Sequence, residues 1–153
     1  MGDGVIQYKN GTPVQSYNEK NAFKETAGGY GSGYCYIDGL AFDKNGNLWM
    51  TSSEVNHAVL VLDKAGAWHR LDIEQLRGVY TINDILITST NDKWIYVPRN
   101  TPKLVMIPNS ESLDEVSSYE FTTLIDTDGK ELTPSNYTCV AEDKDGYIWV
   151  GTN

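Results

Sequence analysis

Oxygen-bearing side chains recur at fixed places along this chain of 153 residues, and the chemistry they suggest is capture of a hard cation. Asp43-Lys-Asn-Gly46, Asp126-Thr-Asp-Gly129 and Asp143-Lys-Asp-Gly146 each begin like the calcium loop that gathers oxygen ligands around one ion. All three lack its third acidic position and its closing Glu. They read instead as turns, in which Asp bonds its own backbone two residues on and Gly takes the left-handed conformation. A second constellation is Asp38 with Asn83, which occupy one place in two copies of a repeated segment and would aim oxygens at a common axis. A hard cation takes roughly six to eight oxygen ligands, and the third copy offers only the hydroxyl of Thr138. No catalytic metal or other cofactor is therefore expected; a structural calcium is the one ion these residue types suit.

The remaining reactive side chains are sparse. Cys35 and Cys139 are the only thiols and fall near the starts of strands too far apart to meet the roughly 7 Å limit for bridging, so both read as small unpaired hydrophobes. His57 and His69 have no His or Cys at metal-ligand spacing. The run Ala27-Gly-Gly-Tyr-Gly-Ser-Gly33 is glycine-rich, but a phosphate cradle needs a strand before it and a helix after, and the flanks supply neither. It reads as a connecting loop, residues 19–35. Tyr30, Tyr34 and Tyr36 cluster at its end, where flat rings would suit a sugar or peptide partner. Asp72 to Arg77 reads as one helical turn capped by Asp72.

What positions these residues is a repeat. Asp38-Gly-Leu-Ala-Phe-Asp-Lys-Asn-Gly-Asn-Leu-Trp-Met-Thr-Ser-Ser53 returns as Thr138-Cys-Val-Ala-Glu-Asp-Lys-Asp-Gly-Tyr-Ile-Trp-Val-Gly-Thr-Asn153, with a degraded copy from Asn83 to Pro98 between them. Trp49, Trp94 and Trp149 align without a gap, 45 and then 55 residues apart, a spacing typical of propeller blades. Each copy predicts a hairpin, with Asn45-Gly46 or Asp145-Gly146 supplying a pair able to take positive φ. A second hairpin follows the first two copies: Ala58 to Leu62 with Ala67 to Leu71, and Lys103 to Ile107 with Tyr119 to Leu124. The tryptophans are expected to be buried between blades, each indole N–H finding a carbonyl, with Gly46 and Gly146 structural in the turns.

The expected architecture is all-β: a propeller fragment of about three four-stranded antiparallel blades in a permuted frame. The chain opens on an outer hairpin (4–18), continues through blades at 36–72 and 80–124, and closes on an inner hairpin (136–153). Radial repetition needs about four to eight blades to close, so the missing blades are expected from a larger parent protein or from a second copy. Hydrophobic residues make up 40% of the chain, with ten Tyr and four Trp, enough to cover a β core. A net charge of −9 argues against nucleic acid or an anionic membrane as partner, both of which attract clustered Lys and Arg. No run approaches the roughly twenty apolar residues of a membrane span, so direct insertion is not expected. Protein surfaces or glycans remain.

With these residues laid out, the pattern of Asp, two residues, Gly, two residues and Trp (Asp43 to Ser52, Asp143 to Thr152) resembles the two-component regulator propeller repeat of periplasmic hybrid histidine kinase sensors. Thr88 to Asp92 departs from it, lacking both Asp and Gly. The run from Tyr36 to Asn153, degenerate middle copy included, is similar to the amino-terminal propeller region of the PorZ proteins of type IX secretion. That resemblance implies a non-enzymatic, surface-exposed propeller of Gram-negative bacteria, placed in the periplasm or at the outer-membrane cell surface, in machinery that joins cargo to lipopolysaccharide. It implies no catalytic residue. Asp38-Gly-Leu-Ala-Phe-Asp43 also resembles the metal-binding blade of gluconolactonase-like propellers, which would make the chain an enzyme.

Overall fold

The computed structural model describes residues 4–25 and 34–153; Tyr30 and the whole glycine-rich run 27–33 lie outside them. The chain is built from fourteen short strands and one 3-10 turn among the described residues. Strands β1 (Val5–Lys9) and β2 (Thr12–Tyr17) form a hairpin. At its tip Asn10 and Gly11 both take positive φ, 51° and 76°, as a two-residue type I′ turn requires. Strands β3 (Ile37–Phe42), β4 (Leu48–Ser52), β5 (Val59–Leu62) and β6 (Trp68–Leu71) pair antiparallel in sequence order as blade 1. Strands β7 (Ile85–Ile87), β8 (Lys93–Val97), β9 (Lys103–Ile107) and β10 (Tyr119–Phe121) do the same as blade 2. A small hairpin, β11 (Leu124–Ile125) and β12 (Glu131–Leu132), precedes the last pair, β13 (Tyr137–Glu142) and β14 (Ile148–Thr152).

Successive side chains on a strand point to opposite faces, and directly paired residues share a face, so the ladders assign each apolar residue to one side of its blade. In blade 1 Ala41 pairs with Trp49 and Trp49 with Val61. This back face packs on the front of blade 2 through Trp49, Val59, Val61, Leu71, Ile85, Ile95, Val105 and Ile107 in one core. The front of blade 1, carrying Met50, Leu60, Leu48 and Leu62, packs instead on Val5, Tyr17 and Phe23. Tyr17 and Phe23 both meet Trp68 edge-on at 5.4 Å. Hairpin β1–β2 thus covers the outer part of that face, as the outer half of a preceding blade would. A third core joins the back of blade 2 (Trp94, Tyr96, Leu104, Phe121) to Tyr137, Val140 and Val150 of the last hairpin.

Three local expectations are corrected. The Asn45-Gly46 and Asp145-Gly146 pairs do not both enter positive φ; only the glycines do, each at 85°. Asp43 N donates to Asn47 O at 2.9 Å and Gly46 N to Asp43 O at 3.1 Å, a three-residue loop with one left-handed residue before the bulge. The same pattern closes the turns at 63–67, 88–92, 126–130 and 143–147. The strand expected from Tyr119 to Leu124 stops at Phe121, and Leu124 opens the separate hairpin around Asp126-Thr-Asp-Gly129. The helical turn after Asp72 is Glu74–Leu76 with no side-chain cap. Asp72 holds Arg77 in a two-pronged pair at 2.6 and 2.5 Å.

Candidate functional site

The carboxylates of Asp43 and Asp143 are engaged on both oxygens by their own hairpins, and Asp126 Oδ1 accepts from Asp128 N and Lys130 N at 3.0 and 2.8 Å. Asp43 Oδ1 accepts from Asn45 N and Asn47 N, both at 2.9 Å, while Oδ2 accepts from Asn47 Nδ2 and Trp49 Nε1, again at 2.9 Å. Burial pushes this carboxyl upward, but the donors from Trp49, Asn47 and Asn45 outweigh it and hold it below the ordinary Asp range. Asp143 repeats the arrangement, with Asp145 N at 2.9 Å, Tyr147 N at 3.0 Å and Trp149 Nε1 at 2.8 Å. The expected carbonyl acceptor is thereby corrected at two of the three tryptophans: the indoles of Trp49 and Trp149 donate to an aspartate. Among the described residues no group of three or more His, Cys, Asp or Glu is placed to hold a metal ion.

The three tryptophans are not equally buried. Trp49 is 1% exposed, whereas Trp149 is 65% exposed, so the expectation that all three are core fails at Trp149. Trp94 is half-buried and stacks on Phe121 at 5.6 Å. The reason is positional: Trp49 has the front of blade 2 over it, and among the described residues nothing lies behind Trp149. Blade 2 lacks the Asp yet keeps the turn. Thr88 Oγ1 accepts from Asp92 N at 2.9 Å, and Asn91 takes φ 70° in place of the glycine.

Sequence reasoning missed Lys93. It occupies the rung held by Leu48 and Ile148 in the other copies, is fully buried, and its Nζ lies 4.4 Å from the centroid of the Trp49 ring. Desolvation lowers its pKa, while the negative charges of Asp43 and Asp92 pull the other way. A cation on the indole face, with the indole N–H on Asp43, makes a charged stack that joins blades 1 and 2. A lysine at an apolar rung beside the repeat tryptophan was the available signal.

Asp38 and Asn83 each bond at the junction of blades 1 and 2, through different partners. The β3–β4 register shifts between Ile37 and Gly39, and the β13–β14 register shifts between Tyr137 and Cys139, so Asp38 and Thr138 each sit on a bulge, which re-aims a side chain. Asp38 Oδ2 accepts from Ser53 Oγ at 2.6 Å, and Ser53 Oγ accepts in turn from Ile82 N at 2.8 Å. Asn83 Nδ2 lies 3.3 Å from Tyr96 Oη, and its carbonyl accepts from Thr51 Oγ1 at 3.0 Å. Burial raises the Asp38 carboxyl to about 6 against the opposing pull of Ser53. The carboxyl thus takes up its proton well above the ordinary Asp range, in a chain of bonds joining the two blades. Thr138 is exposed.

The other singled-out residues serve as struts. His57 Nδ1 pairs with Glu25, whose carboxylate also accepts Asn56 N and His57 N. His69 lies between Asp114 and Asp63, at 3.0 and 3.1 Å. Bonds to Asp114 and then Asp63 raise its pKa. Both cysteines are free, Cys35 buried and Cys139 exposed. Tyr34 and Tyr36 stack obliquely, centroids 5.5 Å apart, with Tyr36 exposed.

These sheets define a class: an all-β, open set of propeller blades. Two solved structures share it. The chain superposes with a TM-score of 0.85 over 99% of its length, at 20% identity, on PorZ, an essential bacterial surface component of the type-IX secretion system of Porphyromonas gingivalis. It superposes with a TM-score of 0.62 over 97%, at 21% identity, on the extracellular domain of the hybrid two component system BT3049 of B. thetaiotaomicron. It spans 21% and 17% of those chains. The two component regulator propeller family model matches residues 131–153. No curated protein matches the sequence. Among the described residues no helix is long and apolar enough to cross a membrane.

Proposed function

We propose that the chain is a non-enzymatic part of a propeller that presents surface to protein or glycan partners outside the cytoplasm, in a surface component of type IX secretion. The carrying observation is the superposition on PorZ over nearly the whole chain, degenerate middle blade included. Alongside it, the turn carboxylates Asp43 and Asp143 are saturated by donors of their own hairpins, which suits scaffold better than chemistry. The test is made in cells that encode the full-length protein. Deletion should leave secreted cargo unattached to the surface, and tagged protein should be cleaved by protease added to intact cells. Normal cargo attachment would overturn the reading.

The superposition on a hybrid two component system favours a second reading, a segment of a ligand-sensing propeller. Deletion would then abolish a transcriptional response to an external ligand and spare cargo attachment. The lactonase-like reading is tested at Asp38. Lactone hydrolysis that requires calcium or manganese and is lost in Asp38→Ala would make the protein an enzyme, whereas metal binding without hydrolysis leaves the scaffold standing.

A further inference from the structure

Blades 1 and 2 each carry a cleft at the same place, walled by the stretch of chain that leads into the blade and by the loop between its second and third strands. Ser52 and Val55 line the first, with Phe23 and Glu25 opposite. Val97 and Asn100, each 45 residues further on, as Trp94 is from Trp49, line the second, with Arg77 and Tyr80 opposite. Every residue lining the second cleft falls between positions 77 and 103, so both of its walls are internal segments of consecutive blades.

The first cleft is filled by a carboxylate. Glu25 accepts from Asn56 N at 2.9 Å, from His57 N at 3.0 Å and from His57 Nδ1, and a volume of only about 10 Å³ is left beside it. Burial pushes the Glu25 carboxyl upward, but the His57 and Asn56 donors outweigh it and hold it below the ordinary range, so the loop receives the anion. The second cleft has a volume of about 260 Å³, and the stretch 77–80 that walls it, Arg-Gly-Val-Tyr, contains no carboxylate.

The loop of blade 2 keeps the means to hold one. Thr101 N, the counterpart of Asn56 N, has no acceptor among the described residues. Pro102 stands where His57 does and can donate nothing, and the left-handed residue moves from Glu54 to Asn100, one place later in the repeat. In exchange, the acid Glu54 is replaced by the base Arg99. Of the three cations at this cleft, Arg77 is paired with Asp72 and Lys103 with Glu120. Arg99 is exposed and has no ionic partner among the described residues. A guanidinium fork offers two parallel donors to one carboxylate, which with Thr101 N restores the three that Glu25 receives. Tyr80, 61% exposed, supplies a flat ring beside them.

We infer that the cleft between residues 77–80 and the 98–102 loop binds an acidic peptide segment of a partner protein. A Glu or Asp side chain of that segment is received by Arg99 and Thr101 N, and an adjoining apolar side chain lies on Tyr80. A peptide is the occupant because blade 1 fills the equivalent space with the glutamate of a peptide. The inference rests on the reading of the chain as a binding surface and gives one of its partners a chemistry.

The experiment follows the backbone amide resonances of the 153-residue chain during titration with acetyl-Phe-Glu-amide, its neutral isostere acetyl-Phe-Gln-amide, and methyl glucuronide. The Glu peptide should shift the amides of Gly78, Asn100 and Thr101 saturably, and the Gln peptide should bind about tenfold or more weakly, the scale of losing a hydrogen bond to a charged group. Arg99→Gln should weaken the Glu peptide by a similar factor, with the other resonances unmoved. Arg99→Lys, which keeps the charge but not the fork, should fall between the two. The inference is overturned by a Glu peptide that gives no saturable shift, by equal binding of the Glu and Gln peptides, by shifts that map away from this cleft, or by an Arg99→Gln affinity equal to wild type. Binding of the glucuronide in place of the peptide overturns it too and makes the ligand a glycan acid. None of these failures touches the cellular test of the proposed function, because cargo attachment on deletion is read without reference to this cleft.

Discussion

Trp49 and Trp149 are held by the same device and live in different surroundings. Each indole donates to the aspartate six residues earlier, at 2.9 and 2.8 Å, from strands of matching register. Yet one lies beneath the front of blade 2 and the other faces outward. The hairpin therefore sets the direction of the ring locally, and burial comes from the next blade. Stability in such an array is a sum of intrinsic unit terms and nearest-neighbour interface terms, and these two tryptophans separate the terms within one molecule.

The largest expected effect breaks the comparison open. Trp49→Ala should cost about 3–5 kcal/mol, the range for large buried aromatics, while Trp149→Ala in this 153-residue chain should shift the urea midpoint little. Equal losses would mean that the indole stabilises through its hairpin alone. Next comes the close approach between blades. A Cβ on Gly39 would meet Ile85 N at 2.8 Å and Asp84 Cα at 3.0 Å, so Gly39→Ala should cost about 1–3 kcal/mol by overpacking, with protection from hydrogen exchange falling at the blade 1–blade 2 junction. An unchanged midpoint would show that the junction can slide.

A smaller effect separates the turn from the stack. Asp43→Asn keeps a side-chain oxygen for the backbone donors but removes the charge that faces Trp49 and Lys93. The loss should be about 1–2 kcal/mol, as for a hydrogen bond to a charged group, and larger than for Asp143→Asn under the same assay. The smallest effect is in pH. Asp38 titrates near 6 in the fold against 3.8 ordinarily, so its protonated form favours folding. That contribution is complete below pH 3.8 and is lost as pH rises through about 6. Asp43 has the opposite sign: its contribution is present above the ordinary Asp range and falls away as acid protonates it. Asp38→Asn should therefore flatten the urea midpoint between pH 4 and 6 relative to wild type. A step that persists would assign the titration elsewhere.

What could be read from the residues follows from the range of the interaction involved. Asn10-Gly11 and the Asp-x-x-Gly turns announce themselves because their chemistry is complete within five residues, and the tryptophan spacing exposes the blade repeat because the unit is copied. The hairpin at Leu124 was hidden by a run of strand formers, Tyr119 to Leu124, that gives no break at Thr122. The exposure of Trp149 depends on what a neighbouring blade supplies, which no window around it contains, and the rung of Lys93 marks it as buried without naming the Trp49 ring that it meets. At the inner rim, the alignment of Asp38 with Asn83 was visible. The mediator that joins the two blades there, Ser53 bridging Asp38 to the backbone of Ile82, was not, since it lies across the sheet from both.

The five three-residue loops carry one more implication. Four are written with Asp and Gly, and the fifth with Thr88 and Asn91, which reproduce the same backbone bonds and the same left-handed residue. What passes from blade to blade is a pair of dihedral angles and one acceptor oxygen, and the genetic alphabet has at least two spellings for them. A blade can thus drift out of recognisable motif while remaining interchangeable in shape. Counting blades by their signature residues will miss members of an array that a ruler of hydrogen bonds would find.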